Sequence, residues 1–172
     1  MLLRLTFNSK FINDRWQIQC QDHLSNIHEF ESKVMINASG PWVNEVIETA
    51  FSVPVKGRIA MVQGSHIVLP RLYQGDHAYL FQSEDKRVVF AIPYHKHWTL
   101  VGTTDTPYSG DPAQAVISDE EKQYLMSIVN SCFTTSVGLD DIVWSFSGVR
   151  ALCEEKEGDL QRISREHLVE VD

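Results

Sequence analysis

Two side chains in this 172-residue sequence are placed to do chemistry, and the first is a histidine. His66 lies in QGSHIVLPR, directly after Gly64 and Ser65, on a predicted strand whose other positions are apolar. Histidine is the side chain whose proton moves near neutral pH, so His66 could serve as a general base or as a hydrogen-bond partner of a reacting group. A core histidine whose hydrogen bonds are satisfied within the protein is the alternative.

The second side chain is Arg150, which follows Gly148 in the apolar run VWSFSGVRAL. A buried lone charge is costly, so this arginine needs either a carboxylate partner or an anionic ligand. Its guanidinium can grip two oxygens at once, which suits phosphate. Asp105, in LVGTTDTPYSGDP, could pair with Arg150 or could simply form a turn. A phosphate site and a structural Arg–Asp pair both remain open.

A third feature is the turn Ala38-Ser39-Gly40 inside VMINASGPWVNEVIE. Small residues let a ligand approach the backbone amides, and the start of a helix favours negative charge. A dinucleotide pyrophosphate fits both properties. A tight strand-to-helix turn with no ligand is the alternative, because such turns are common.

Composition and spacing exclude several other classes of function. The net charge of -8 argues against nucleic acid as a partner, since phosphate backbones need clustered Lys and Arg. The histidines and the three widely spaced cysteines show no metal-ligand spacing, and HKH at 95–97 is expected in a surface hairpin turn. Unpaired cysteines favour reduced thiols in a cytosolic setting. No apolar run reaches the roughly 18–20 residues of a membrane helix.

The elements that must position these residues begin with a β-meander, since apolar and polar residues alternate over Leu3–Asn8 and Trp16–Gln21 and a third strand is expected near Glu29–Glu31. Lys33–Ala38 differs, because its consecutive apolar residues predict a strand that is covered on both faces and has parallel neighbours. An exposed edge of that strand would favour self-association, for instance as a homodimer. A helix is predicted from Pro41 onward.

The remainder is predicted as mostly antiparallel strands with one amphipathic helix. Ser118 and Glu121 form a capping-box pattern, and an apolar stripe follows from Tyr124 to Cys132. The fold class is therefore α+β, dominated by antiparallel sheet. The predicted strands are Arg58–Val62, Ser65–Leu69, Ala78–Gln82, Arg87–Ile92, Thr99–Thr103, Asp141–Leu152 and Ile163–Val171.

Four stretches in this order resemble the FAD-dependent, quinone-linked glycerol-3-phosphate dehydrogenases. They are NASGPW, GSHIVLPRL, FAIPY followed by VGTTDTPYSGDP, and DDIVWSFSGVRAL, and the resemblance runs from about Trp16 to Val171. It implies a glutathione-reductase-like fold of the amino-acid-oxidase type, in which a Rossmann-like FAD domain carries an antiparallel substrate domain. The sequence holds no GxGxxG. We therefore expect an internal segment, with a partial FAD-binding domain at 1–50 and a substrate-binding domain at 51–172.

The resemblance also implies an activity. Members oxidise glycerol 3-phosphate to dihydroxyacetone phosphate, with FAD taking the hydride and a quinone as the electron acceptor. His66 falls on the family's catalytic, substrate-site histidine, and Arg150 falls on its phosphate-binding arginine. Ala38, Ser39 and Gly40 fall on the turn that passes close to the FAD. The flavin supplies the redox chemistry, and the protein orients and stabilises the reacting groups.

The resemblance carries further expectations about setting and substrate. It implies a cytoplasmic enzyme bound peripherally to the cytoplasmic face of the inner membrane. Gln63 stands where members usually have Lys, which is expected to remove a positive charge near the site, and Phe146 stands where Tyr is common. We expect the isolated chain to bind FAD poorly and not to turn over. The alternatives are an FAD-dependent oxidoreductase acting on an amine or hydroxy acid, and a non-catalytic domain that binds a small anion or self-associates.

Overall fold

The structure is a computed structural model that describes residues 8–51, 54–55, 58–83 and 86–154. The chain divides into two compact units, Met1–Ile59 and Ala60–Asp172. The strand patterns predicted before residue 8 and over Ile163–Val171 lie outside the described residues. The domain division after residue 50 stays a prediction.

The first unit contains the predicted meander. Strands β1 (Asn8–Ile12), β2 (Arg15–Gln21) and β3 (Ile27–Ser32) pair antiparallel in the order β1-β2-β3. The aromatic ring of Trp16 packs against the rings of Phe11 and Phe51, at centroid distances of 5.3 and 5.4 Å. Alternation of Trp16, Ile18 and Cys20 with their polar neighbours thus predicted β2 and its apolar side.

The predicted strand over Lys33–Ala38 is not formed. Residues 33–39 have no regular secondary structure, and Val34 and Ile36 are 67% and 83% exposed. A strand is defined by its ladder of hydrogen bonds, and no described residue pairs with this segment. The prediction was wrong for that reason, and the strand edge that would have favoured a homodimer is missing with it.

The predicted helix after the small-residue turn is short and irregular. A 3-10 turn at Gly40–Trp42 leads into helix α1 (Val43–Val46) and then into a π-helical turn at Ile47–Phe51. Pro41 lies in the first helical turn, where its missing N–H leaves no bond unmade.

The second unit is built on a six-stranded sheet. Its strands are β4 (Arg58–Pro70), β5 (Tyr79–Gln82), β6 (Val88–Tyr94), β7 (Trp98–Gly102), β8 (Thr106–Pro107) and β9 (Trp144–Glu154). The order is β5-β6-β7-β4-β8, with β9 also paired to β4. The two strands predicted over 58–69 form one long strand, because Gln63 continues the ladder by pairing with Thr106. The mostly antiparallel α+β architecture is confirmed.

Helix α2 (Asp119–Cys132) covers one face of this sheet, and the capping box between Ser118 and Glu121 is present as predicted. One hydrophobic core joins the helix to β4, β6 and β7; its residues include Ile67, Leu69, Val89, Ala91, Val101, Leu125, Met126, Ile128 and Val129. The opposite face of the sheet carries Gly64 and His66 of β4. None of the helices in the described part of the chain is long and apolar enough to span a membrane.

Candidate active site

The long central strand β4 sorts its side chains between the two faces of the sheet. Successive residues of a strand point to opposite faces, so Gly64 and His66 share one face and Gln63 and Ser65 share the other. His66 lies opposite Gly102 of β7 in the antiparallel register. Two residues of the motif QGSH therefore lie on the cleft side of the sheet, and the other two lie on the side that α2 covers.

His66 is clamped between a glycine and an aromatic ring. Its imidazole stacks on Phe146 of β9 with ring centroids 4.9 Å apart and planes 8° apart. A β-carbon built on Gly102 would fall 2.2 Å from Cδ2 of His66, so any side chain at that position would displace the ring. Phe146, noted only as a departure from the family pattern, thus fixes the plane of the predicted catalytic histidine.

The surroundings of His66 favour its neutral form. Burial lowers the pKa of the imidazole below its ordinary value of 6.5, and the charge of Arg150 lowers it further. Nδ1 is buried and has no hydrogen-bond partner among the described residues. A neutral imidazole keeps one nitrogen able to accept a proton. The alternative of a core histidine satisfied within the protein therefore does not describe this site.

Arg150 is held by the segment that follows β7. Its Nη1 donates to Oδ1 of Asp105 at 2.9 Å and to the carbonyl of Thr104 at 3.4 Å, and its Nη2 donates to Oγ1 of Thr103 at 2.8 Å. Asp105 is thus the ion-pair partner of Arg150, which was one of the two roles predicted for it. The Nε–H and one Nη2–H have no partner in the described part of the chain, and the side chain is 33% exposed. A guanidinium has five such donors, so Arg150 is both anchored and able to bind an anion.

The guanidinium of Arg150 also lies directly over the backbone of Gly64. A β-carbon built on Gly64 would be 2.2 Å from Nη2 and 2.5 Å from Cζ of Arg150. The glycine is thus required for space: β4 and β9 bring the arginine within reach of this position only because no side chain is there.

The two predicted site residues line one cleft of about 250 Å³. Its walls are Gly64, His66, Phe146, Ser147, Gly148, Val149 and Arg150. The neutral imidazole of His66 and the guanidinium of Arg150, which keeps unused donors, therefore face the same space although they are far apart in the sequence. The arrangement suits an anionic substrate that must also lose a proton.

Gln63 does not contribute to this cleft. Its Nε2 donates to Oε2 of Glu121 at 2.8 Å and to the carbonyl of Val116 at 2.9 Å, on the side of the sheet that α2 covers. Strand alternation turns Gln63 away from His66, so its side chain does not line the cleft, and its effect on the charge near the site stays a prediction. The sequence did not reveal that Glu121 is its partner, since 58 positions separate them.

The turn at Ala38–Gly40 belongs to the first unit, and hydrogen bonds within that unit hold it. Oγ of Ser39 donates to Oδ1 of Asn37 at 2.7 Å, and Nδ2 of Asn37 donates to the carbonyl of Val43 at 2.9 Å. Gly40 has φ of +59°, a conformation that side chains disfavour, so the turn needs a glycine with or without a ligand. Ala38 and Gly40 are exposed, which leaves their backbone accessible.

Other places on the described surface are weaker candidates for an anion-binding or metal-binding site. A cleft of about 350 Å³ lies on the β1–β3 sheet, but its charged walls are one lysine and two glutamates, Lys10, Glu29 and Glu31. That balance does not favour an anion. His95 and His97 lie in the exposed turn between β6 and β7, as predicted. No group of three metal-ligating side chains occurs among the residues that the structure describes.

Comparison with known proteins gives consistent results. The family model described as FAD dependent oxidoreductase matches residues 8–170. The glycerol-3-phosphate dehydrogenase of Pseudomonas aeruginosa is 40% identical over 152 residues, covering 88% of this chain and 30% of that protein. The D-erythritol 1-phosphate dehydrogenase of Brucella abortus is 32% identical over 161 residues, covering 93% of this chain and 32% of that protein.

A solved structure extends the similarity to three dimensions. The glycerol-3-phosphate dehydrogenase of Bacillus halodurans, complexed with FAD, superposes with a TM-score of 0.76 at 26% identity, covering 90% of this chain and 32% of that one. The chain thus spans about 30% of the length of the relatives it matches.

Proposed function

This chain belongs to the FAD dependent oxidoreductase family, and we propose that it carries the substrate-binding part of an enzyme that oxidises glycerol 3-phosphate to dihydroxyacetone phosphate. The observation that carries the proposal is the shared cleft of His66 and Arg150. The names of the relatives support the same substrate, since glycerol-3-phosphate dehydrogenases are similar to this chain in sequence and in structure.

In this proposal Arg150 binds the phosphate of the substrate. Its Nε–H and remaining Nη2–H are the donors for two phosphate oxygens, while Asp105 and Thr103 keep the guanidinium from following the ligand. Charge-assisted hydrogen bonds of this kind are about twice as strong as neutral ones. Phosphate binding would thus place the rest of the three-carbon chain beside the imidazole.

His66 accepts the hydroxyl proton of the substrate in this proposal. Its lowered pKa keeps the imidazole neutral at pH 7, so the ring is ready to take a proton as C2 loses hydride. FAD, when bound, is the acceptor of that hydride. The stack on Phe146 and the bare backbone at Gly102 keep the ring in one plane.

The cofactor and the cellular setting are proposed on the resemblance and the family. We propose that FAD passes beside Ala38, Ser39 and Gly40, since the exposed backbone of this turn admits close approach. The quinone acceptor and the peripheral location at the cytoplasmic face of the inner membrane follow from the resemblance alone.

A second candidate substrate is a longer polyol phosphate. The similarity to a D-erythritol 1-phosphate dehydrogenase supports it, because the phosphate contact with Arg150 would be the same. Only the length of the carbon chain differs, so comparing the affinities for the two phosphorylated polyols separates the candidates.

The test is whether this chain prefers a phosphorylated ligand because of Arg150. The chain is titrated with glycerol 3-phosphate and with glycerol, and chemical shifts of the cleft amides are followed. Arg150→Met should weaken glycerol 3-phosphate by about 10- to 100-fold, the loss expected for charged hydrogen bonds. Lys96→Met is the control, since Lys96 is an exposed cation in the β6–β7 turn. Equal affinity for both ligands would refute the proposal and favour a non-phosphorylated amine or hydroxy acid.

A further inference from the structure

A buried carboxylate lies behind the cleft, on the side of the sheet that α2 covers. Glu121 is 7% exposed, and no cation contacts it within the described ranges. Its oxygens accept hydrogen bonds from Oγ of Ser65, Oγ1 of Thr104, Nε2 of Gln63 and the backbone N–H of Ser118, at 2.5 to 2.9 Å. Burying a carboxylate costs free energy unless hydrogen-bond donors satisfy its oxygens. The buried position of Glu121 therefore depends on all four of these donors.

Two of the donors to Glu121, Thr104 and Ser65, lie next to the residues that form the cleft. Thr104 lies between Thr103 and Asp105, which hold the guanidinium of Arg150. Ser65 lies between Gly64, on which that guanidinium rests, and His66. The carboxylate therefore holds the two short segments that support the proposed substrate groups, by bonds made from the opposite face of the sheet.

Thr104 and Ser65 are also bonded to each other and to β9. Oγ1 of Thr104 accepts from the backbone N–H of Ser65 at 2.9 Å while donating to Glu121. Oγ of Ser65 lies 2.8 Å from Oγ of Ser147, which is on the strand that carries Arg150. One carboxylate thus links α2, β4, the segment after β7 and β9.

We propose that Glu121 is a positioning residue for the substrate cleft, acting through the hydroxyls of Thr104 and Ser65. It holds residues 103–105 against Gly64 so that the guanidinium of Arg150 and the imidazole of His66 face the same space. This inference rests on the proposed function, because the positions matter for chemistry only if the two groups meet one substrate. The capping of α2 by Glu121 is a separate and local role.

The matched pair of variants is Thr104→Val and Thr104→Ser. Valine keeps the shape of threonine and removes the hydroxyl, whereas serine keeps the hydroxyl. The first should shift the Arg150 Nε–H and His66 ring resonances of the chain and weaken glycerol 3-phosphate by about tenfold, about the effect of one hydrogen bond. The second should resemble the wild type in both measurements.

Glu121→Gln is the second variant, and Glu120→Gln, on an exposed position of the same helical turn, is its control. The amide oxygen of the new glutamine can accept from Gln63 and Ser118, but its NH₂ then faces Ser65 and Thr104 and reverses those bonds. The Arg150 and His66 resonances should move in Glu121→Gln and not in Glu120→Gln. A lower melting temperature with unmoved resonances and unchanged affinity would mean a merely structural role and would overturn the inference.

The outcomes separate this inference from the proposed function. Absence of any preference for glycerol 3-phosphate in the wild-type chain would refute the function, while the resonances would still report whether Glu121 positions Arg150. A clear preference in the wild type, with Thr104→Val and Glu121→Gln both unchanged, would refute the inference alone. If those variants fail to fold, Ser65→Ala supplies the same readout, because it removes a hydroxyl that donates to Glu121 and adds no volume.

Discussion

The guanidinium of Arg150 rests on the bare backbone of Gly64, with no room for even a methyl group between them. The contact joins β9 to β4 at the point where the ion pair of Arg150 with Asp105 is made. The position of the Arg150 guanidinium therefore depends on the lack of a side chain at Gly64 as well as on the hydrogen bonds to Asp105 and Thr103.

Gly64→Ala should dislodge Arg150. The new methyl would fall 2.2 Å from Nη2, so the guanidinium must leave its place over the strand and its bonds to Thr103 and Asp105. We expect at least a tenfold loss of glycerol 3-phosphate affinity by calorimetry, since one or more charged hydrogen bonds are lost. Gly138→Ala is the control, because a β-carbon there meets nothing closer than 3.9 Å and Gly138 does not line the cleft. Equal affinity of the two variants would contradict the prediction.

Gly102→Ala should act on His66 in the same way. Its methyl would be 2.2 Å from Cδ2 of the imidazole, which must then tilt out of the stack with Phe146. The ring-proton shifts of His66 should lose the displacement caused by the stacked phenyl ring, as measured by NMR. Gly138→Ala, where the nearest atom would be 3.9 Å away, should leave those shifts unchanged.

The pKa of His66 should rise when Arg150 is neutralised. Burial is the larger cause of its lowered pKa and the charge of Arg150 is the smaller one, so Arg150→Met should return part of the shift and not all of it. The measurement is an NMR titration of the imidazole. A pKa of His66 that is identical in the wild type and in Arg150→Met would show that the two groups do not interact.

Stability should fall as the pH drops below about 6.5, the ordinary value for histidine. The folded state binds the His66 proton less well than the unfolded state does, so unfolding takes up a proton between the lowered pKa and 6.5, and acid favours it. Chemical unfolding at several pH values should show this slope in the wild type and a smaller one in His66→Asn. Asp22, whose pKa is lowered mainly by its hydrogen bond to His28, affects only the range below its ordinary 3.8.

Leu125→Ala should test the packing of α2 on the sheet. Leu125 is fully buried in the core that joins this helix to β4, β6 and β7. Truncating such a leucine costs about 2–5 kcal/mol through lost burial and the cavity left behind. Leu139→Ala, at a position that is 48% exposed, should cost far less. Denaturant unfolding of the two variants measures the difference, and similar losses would argue against the described core.

The sequence by itself determined the features that repeat over a few residues. Alternation predicted β2, short apolar runs predicted most strands of the second unit, and the pattern around Ser118 and Glu121 predicted α2 with its capping box. The order of four motifs pointed to the family and to His66 and Arg150. These signals are local, because strand period and helix capping depend on neighbours within one element.

Only the tertiary structure decided what the same residues touch. It left Lys33–Ala38 without a strand, because the described residues offer it no ladder partner. It turned Gln63 away from the cleft, and it gave Arg150 the partners Thr103 and Asp105, 47 and 45 positions away. Contacts over such separations are set by the register of β4 against its neighbours and by the packing of α2, and neither is written in any short stretch of the chain.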